Sequence, residues 1–213
     1  IAHKLAQNLG IHYATISIQN SYENTIKELE ASEFIQLDGT NHKTAIILSP
    51  VSRENIQARD RGSRVLAGIA SSLHAVYVNN GNKTETAFGY ATLYGDINGA
   101  LAPIADLYKQ EVYELARLIN SKKEVIPNAI FDIPASAELS PEHNVDEGKG
   151  DPILYPYHDK LVRAFVEFRL DPEDILRYYE NGELSQIIKC EQHLIDGYFA
   201  TKEAFINDLE HKW

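Results

Sequence analysis

The stretch between Ala75 and Glu85 constrains the fold most, because it predicts a strand that runs directly into a helix. Ala75–Val78 (AVYV) is a short apolar run rich in β-branched and aromatic residues, which is typical of a buried strand. Three turn residues follow, and then Asn82 and Glu85 have the spacing of a capping box at a helix N-terminus. In α/β folds such a junction lies at the carboxyl edge of a parallel sheet, where helix N–H groups bind anionic ligands.

The other segments agree with an α/β fold whose strands come early and whose later part is helical. Helical periodicity or capping residues are found in Ile1–Leu9, Ser21–Ala31, Glu54–Leu73, Tyr108–Ile119, His158–Phe168 and the segment opened by Asp171-Pro172. Ile11–Ile18 alternates and predicts a strand, whereas the polar Phe34–Lys43 predicts a loop. We therefore expect a Rossmann-like parallel sheet with flanking helices over residues 1–151, and a helical C-terminal extension of the same domain over residues 152–213.

Charge and composition speak against several classes of partner. The chain carries 20 Lys and Arg against 31 Asp and Glu, a formal net charge of −11, so it lacks the basic footprint that duplex nucleic acid requires. Its one cysteine, Cys190, excludes a disulfide within the chain. No apolar run reaches the roughly 18 residues of a membrane helix. We expect an acidic cytoplasmic protein without nucleic-acid or membrane partners.

A polar helix face and one lysine are candidates for binding an anion. Asn55, Arg59 and Gly62 are spaced i, i+4 and i+7, and an amide with a guanidinium can hold a polar anionic ligand. A solvated surface explains the same pattern, and from these residues alone we favour it. Lys109 lies in the first turn of its helix, where the macrodipole disfavours a cation. It either meets an anion such as a phosphate or extends into solvent, and the sequence favours neither.

Glu85 and the acidic segment Glu138–Asp151 are candidates for binding a metal ion. Glu85 completes the capping box, and we place this role ahead of a ligand or metal role, although one carboxylate can serve both. The acidic segment lacks the spacing of an EF-hand loop, so a mobile solvated loop is the better interpretation. No nucleophile elbow or glycine-rich phosphate loop is found in the sequence.

Four strings of residues resemble one enzyme family. They occur in the order Asn55-Ile-Gln-Ala-Arg-Asp-Arg-Gly62, Gly81-Asn-Lys-Thr-Glu85, Gly89-Tyr-Ala-Thr-Leu-Tyr-Gly-Asp96 and Pro134-Ala-Ser-Ala-Glu-Leu139. Together they resemble the synthetase domain of NAD synthetases, and the glutamine-dependent branch more than the ammonia-only branch. The resemblance covers about Ile1–Asp151 and implies an adenine nucleotide alpha hydrolase-like fold.

The resemblance implies an ATP-dependent amidation. In that family ATP adenylates the pyridine carboxylate of deamido-NAD, pyrophosphate leaves, and ammonia then displaces AMP to give NAD. Magnesium, lysine and helix N-termini offset the phosphate charge. In the glutamine-dependent branch, a glutaminase domain of the same chain supplies the ammonia. No enzyme nucleophile is required, which agrees with a sequence that has no nucleophile motif.

Carried over position by position, the resemblance also assigns site residues. The ATP contacts are Asn80, Lys109 and Ser136. The deamido-NAD contacts are Asn55, Arg59, Glu85, Tyr90, Thr92 and Leu93. Glu85 would also bind magnesium. Three positions depart from the family pattern, since a threonine, a lysine and an aspartate are replaced by Asn80, Leu93 and Ala100, the last two relative to the ammonia-only branch.

Two parts of the family pattern are absent from the sequence. The pyrophosphatase loop Ser-Gly-Gly-x-Asp-Ser and the glutaminase domain are not found, so we expect a fragment of a larger enzyme that is inactive alone. Family members are dimers, and the helix Glu54–Leu73 contains small residues that allow close helix packing, namely Gly62, Ala67, Gly68 and Ala70. We therefore expect a homo-oligomer whose interface includes this helix, and an acidic loop that orders over the bound dinucleotide.

Two other functions remain open from the sequence. One is another ATP pyrophosphatase-type enzyme, such as a GMP synthetase-like amidotransferase or a tRNA-modifying domain. The net charge speaks against tRNA, and the four strings speak against both. The other is a catalytically inactive nucleotide-binding or dimerisation module.

Overall fold

The computed structural model describes residues 1–137, 147 and 149–213, which form two compact units. Unit 1 consists of the segments Ile1–Gly81, Ala91–Pro103 and Ser136–Lys149. Unit 2 consists of the segments Asn82–Tyr90, Ile104–Ala135 and Gly150–Trp213. One break lies beside the predicted boundary at residue 151, but each unit also includes segments from elsewhere in the chain. Residues 138–146 and 148, which make up most of the predicted acidic loop, lie outside the described residues.

Unit 1 is mainly helical and contains one short hairpin. Its elements are α1 (Ala2–Leu9), α2 (Gln19–Glu30), β1 (Glu33–Ile35), β2 (Lys43–Ala45), α3 (Pro50–Arg59), a π-helical segment (Asp60–Leu66) and α4 (Ala67–Ser72). α1 ends at Leu9, as the predicted helix Ile1–Leu9 does, and Gly10 after it adopts a left-handed φ of 64° that stops the helix. The long helix predicted over Glu54–Leu73 is a helical run that begins earlier, because Ser49 caps it and Pro50 takes its first position.

Two strands predicted in unit 1 do not form a ladder. Ile11–Ile18 has no strand pairing, and Ile11, Tyr13 and Ile16 are exposed. Ala75–Val78 is reduced to a single parallel bridge between Val78 and Leu101. Alternation of side chains only permits a strand, because a ladder also needs a second backbone about 4.8 Å away. In the described residues, parallel pairing is therefore limited to isolated bridges, and the predicted parallel sheet is not formed there as continuous strands.

The prediction of a loop over Phe34–Lys43 is wrong at both ends. β1 pairs with β2 in an antiparallel register that places Phe34 opposite Thr44. Every residue of both strands is exposed. Because neither strand has a buried face, no apolar alternation could mark this hairpin, and its backbone pairing alone defines it.

Unit 2 carries the helical C-terminal region. Its elements are α5 (Lys83–Ala87), α6 (Lys109–Ile119), a 3-10 turn (Asn128–Phe131), α7 (Tyr155–Val166), α8 (Pro172–Glu180), α9 (Leu184–Ile188), α10 (Gln192–Tyr198) and α11 (Lys202–Lys212). The predicted helices at Tyr108 and Asp171 are confirmed as α6 and α8. No helix among the described residues is long and apolar enough to cross a membrane.

The core of unit 2 lies among helices α7 to α11. Its fully buried side chains include Tyr157, Leu161, Ile175, Ile188 and Phe205. Burying one such side chain stabilises the folded state by about 1.5–3 kcal/mol. Because α7 packs within this core, the core holds in place the residues of α7 that belong to the site described below.

Candidate functional site

An ion pair joins the starts of α5 and α6. The ammonium of Lys109, the first residue of α6, lies 3.0 Å from Oε1 of Glu85. Both side chains are about one-fifth exposed, at 20% and 19%. The first-turn lysine therefore does meet an anion, and within the protein that anion is Glu85.

Glu85 also completes the predicted capping box of α5. Its backbone N–H donates to Oδ1 of Asn82 at 3.0 Å, and the Asn82 N–H donates to its Oε2 at 3.2 Å. One carboxylate oxygen thus closes the cap while the other faces Lys109. The capping prediction is confirmed, and it leaves one side of the carboxylate for an interaction with a cation.

An aspartate held by two tyrosines lies in the same unit. The hydroxyl of Tyr90 donates to Oδ1 of Asp151 at 3.0 Å, and the hydroxyl of Tyr155 donates to Oδ2 at 2.7 Å. Burial and the adjacent Asp151 carboxylate raise the pKa of Tyr155, so its phenol stays protonated as a donor. The Lys109 ammonium lies 5.1 Å from the centre of the Tyr155 ring. Tyr90 is therefore brought to the same cluster as Glu85 and Lys109.

A buried hydroxyl and a buried carboxylate connect the two helix starts that carry Glu85 and Lys109. Oγ1 of Thr84 donates to Oδ1 of Asp159 at 2.6 Å, and the backbone N–H of Gln110 donates to Oδ2 at 2.7 Å. Sequence reasoning missed Asp151, Tyr155 and Asp159. Tyr90 lies 61 residues from Asp151, and Thr84 lies 75 residues from Asp159, so no local spacing marks these two contacts. Tyr155 lies four residues after Asp151, and that spacing alone does not indicate a site.

An open pocket of about 430 Å³ is formed by residues of unit 2. Gln110, Asp151 and Tyr155 line one part of it, and Arg117 with Phe131 lines another. The Arg117 guanidinium lies 4.9 Å from the centre of the Phe131 ring, which suits a cation–π contact. Concave sites with a few convergent polar groups are the usual place for small-molecule ligands.

In unit 1, the predicted polar face of the long helix packs on a tight turn. Oγ1 of Thr92 donates to Oδ1 of Asn55 at 2.6 Å, and Nε of Arg59 donates to the carbonyl of Leu93 at 3.1 Å. A Cβ on Gly62 would lie 2.2 Å from the carbonyl oxygen of Gly95, so only glycine fits there. The face is therefore solvated only in part, since Arg59 is exposed whereas Asn55 and Gly62 contact the turn.

The guanidinium of Arg59 and the exposed side chains of the turn are open to a ligand. Thr92 is buried, whereas Leu93 is exposed. Arg59 uses its Nε on the turn, and no carboxylate of the described residues forms an ion pair with its guanidinium. The terminal guanidinium nitrogens can therefore bind an anion in the plane of the fork.

The residues assigned by resemblance fall into two groups. Those in unit 1 are Asn55, Arg59, Asn80, Thr92, Leu93 and Ser136. Those in unit 2 are Glu85, Tyr90 and Lys109. Asn80 is exposed and Ser136 is half-buried. The contacts described above bring together four residues of the first group, namely Asn55, Arg59, Thr92 and Leu93. They bring together all three residues of the second group.

Magnesium fits this chemistry only in part. The described residues contain no group of three or more His, Cys, Asp and Glu side chains that could hold a metal ion. Magnesium, however, is commonly bound through one or two carboxylates together with substrate phosphates. A single carboxylate such as that of Glu85 is compatible with this way of binding magnesium.

The comparisons with known proteins agree on one family. A family model described as NAD synthase matches residues 1–194. The glutamine-dependent NAD(+) synthetase of Aquifex aeolicus is 38% identical over 178 residues, which are 83% of this chain and 28% of that protein. The corresponding protein of Thermotoga maritima is 38% identical over 179 residues, which are 82% of this chain and 28% of that protein. The chain thus spans less than a third of the length of these relatives.

Two solved structures share its fold. A glutamine-dependent NAD+ synthetase from Acinetobacter baumannii, in complex with ADP, is 25% identical with a TM-score of 0.51, and the match covers 88% of this chain and 31% of that one. NMN synthetase from Francisella tularensis is 22% identical with a TM-score of 0.61, covering 91% of this chain and 68% of that one. With these matches the α/β class and the helical C-terminal region are confirmed.

Proposed function

This chain belongs to the NAD synthase family, and we propose that it carries part of the site at which ATP and deamido-NAD are converted to NAD. The reaction is a carbon–nitrogen ligation, and its nitrogen comes from glutamine through a glutaminase domain of the same protein. A cytoplasmic location, expected from the composition, is part of this proposal. The family match favours this reaction over a GMP synthetase-like or tRNA-modifying one.

The reaction requires that the negative charge of the phosphates is neutralised and that the two substrates are positioned. The pyridine carboxylate attacks the α-phosphate of ATP, pyrophosphate leaves, ammonia attacks the resulting acyl adenylate, and AMP leaves. No covalent bond to the protein forms, so the protein contributes by holding both substrates and stabilising developing negative charge. Magnesium, when bound with the nucleotide, offsets phosphate charge, and Glu85 is the residue that would hold it.

The observation that carries the proposal is the placement of Lys109. Its ammonium stands between the starts of two helices, next to residues that line the open pocket. A lysine has three N–H donors, and Glu85 uses one of them, which leaves two for phosphate oxygens. We assign ATP contacts to Lys109, Asn80 and Ser136.

Each unit contains residues to which we assign contacts with the dinucleotide. In unit 1, Arg59 offers a guanidinium for an anionic group, and Leu93 offers an exposed apolar surface beside it. Thr92 donates a hydrogen bond to Asn55, so these two residues act on the dinucleotide indirectly, by holding the turn that presents Leu93. In unit 2, we assign contacts to Tyr90 and Glu85.

Replacing Arg59 with alanine tests the dinucleotide assignment in the full-length protein. We expect the KM for deamido-NAD to rise about tenfold to 100-fold, since a hydrogen bond between charged groups contributes roughly 1.5–3 kcal/mol. The KM for ATP should change little. Steady-state pyrophosphate release with each substrate varied in turn measures both. Arg61→Ala removes the same charge from an exposed position nearby and is the control; equal effects of the two variants would contradict the assignment.

We also propose that the protein is a homo-oligomer through the helical run that contains α3 and α4. Leu66, Ile69 and Leu73 form an apolar stripe along this run, and they are exposed by 44%, 37% and 68%. Gly62 is not available for this contact, because it packs against Gly95. The interface is therefore assigned to the face that carries the exposed stripe.

Charge placed on that stripe should separate the subunits. In sedimentation of the full-length protein at micromolar concentration, we expect at least a dimer, and Ile69→Glu should shift it toward monomer. The reason is that a carboxylate inside an apolar interface loses its hydration without gaining a partner. Ser71→Glu on the same helix is the control. A wild-type monomer at these concentrations would contradict the proposal.

A further inference from the structure

A buried polar network adjoins the Lys109–Glu85 pair. Thr84 is fully buried and Asp159 is 3% exposed. They lie 75 residues apart, and the hydroxyl of Thr84 donates to the Asp159 carboxylate at 2.6 Å. Burying a carboxylate costs free energy unless its oxygens accept hydrogen bonds. The hydrogen bonds of Asp159 must therefore offset this cost.

The Asp159 carboxylate acts as an external cap for α6. Its second oxygen accepts the N–H of Gln110 at 2.7 Å, in the first turn of that helix. A negative charge at this end is favoured by the unpaired N–H groups and the macrodipole. Asp159 belongs to α7, so this bond fixes the start of α6 on the core of unit 2.

The Thr84 hydroxyl joins the same carboxylate to α5 and to Lys109. It donates to Asp159 and accepts the backbone N–H of Lys109 at 3.3 Å. Thr84 directly precedes Glu85 and is fully buried. One hydroxyl thus connects the backbone beside Glu85 to the backbone of Lys109.

We propose that Thr84 and Asp159 are positioning residues that set where the Lys109 ammonium stands relative to Glu85. The inference rests on the proposed role of Lys109 toward ATP. Neither residue can touch a substrate, since both are buried, so they act through the two helix starts that they hold together. A displacement of about 1 Å at a reacting group can lower a rate about 100-fold, which is how a remote hydroxyl acquires a catalytic effect.

The test uses a shape-matched pair of variants in the full-length protein. Thr84→Val keeps the shape of the side chain and removes the hydroxyl, whereas Thr84→Ser keeps the hydroxyl. We expect Thr84→Val to lower kcat/KM for ATP about tenfold to 100-fold and Thr84→Ser to restore it to within about twofold. The KM for deamido-NAD should stay unchanged. Assays run well below the thermal midpoint of each variant separate this effect from loss of fold.

A double-mutant cycle distinguishes positioning from general damage. In a Lys109→Met background, Thr84→Val should add less than about twofold, because the group through which it acts is gone. An undiminished tenfold loss in that background would overturn the inference. If Lys109→Met alone keeps wild-type turnover, the proposed role of Lys109 fails, and this inference fails with it.

Asp159→Asn is the second variant, used if Thr84→Val does not fold. An amide oxygen can accept from Thr84 or from Gln110 while its NH₂ faces the other donor, so the same selective loss toward ATP is expected. Wild-type kinetics in Asp159→Asn would overturn the inference.

Discussion

Replacing Lys109 with alanine in the full-length protein should lower ATP-dependent pyrophosphate release about 100-fold or more. The expected size is that of losing one electrostatic contact in a preorganised site. The thermal midpoint should stay close to that of the wild type. A lysine in the first turn opposes the macrodipole, and its partly exposed ion pair with Glu85 contributes about 1 kcal/mol or less.

The control for Lys109→Ala is Lys122→Ala, which removes an exposed lysine of the same unit. It should leave pyrophosphate release and the thermal midpoint unchanged. Turnover near the wild-type value in Lys109→Ala would refute the ATP assignment. In that case Lys109 would be no more than the ion-pair partner of Glu85.

Glu85→Gln should separate capping from charge. The amide oxygen of glutamine can still accept the Asn82 N–H, so α5 keeps its capping box and the thermal midpoint should change little. The negative charge that faces Lys109 is lost, and so is the carboxylate that would bind magnesium. We expect turnover to fall about 100-fold, measured as pyrophosphate release over a range of magnesium concentrations.

Glu111→Gln is a closely matched control for Glu85→Gln. Glu111 closes the capping box of α6 through the Tyr108 N–H at 2.9 Å, and its other oxygen accepts from Arg163 at 2.6 Å. It therefore has the same local chemistry without an assigned role in the reaction. A similar loss of turnover in both variants would mean that capping, and not the charge beside Lys109, explains the effect of Glu85→Gln.

Helix ends are the features that the sequence determined by itself. The capping box at Asn82 forms as predicted, Asp171 caps α8 as predicted, and α1 ends where predicted, at a left-handed Gly10. Each depends on groups within three or four residues of one another, so a local pattern contains everything that is needed. The four strings likewise identified the family, because the order and identity of residues are properties of the sequence alone.

Pairings between distant segments were decided only by the tertiary structure. The strands predicted at Ile11–Ile18 and Ala75–Val78 depended on a neighbouring backbone that their own residues do not specify. The same holds for the site. Lys109 pairs with Glu85, which is 24 residues away along the chain, and Thr84 donates to Asp159, which is 75 residues away. A lone lysine in a first turn is ambiguous in sequence, because the free energy of a charge depends on which groups the fold brings within a few ångströms of it.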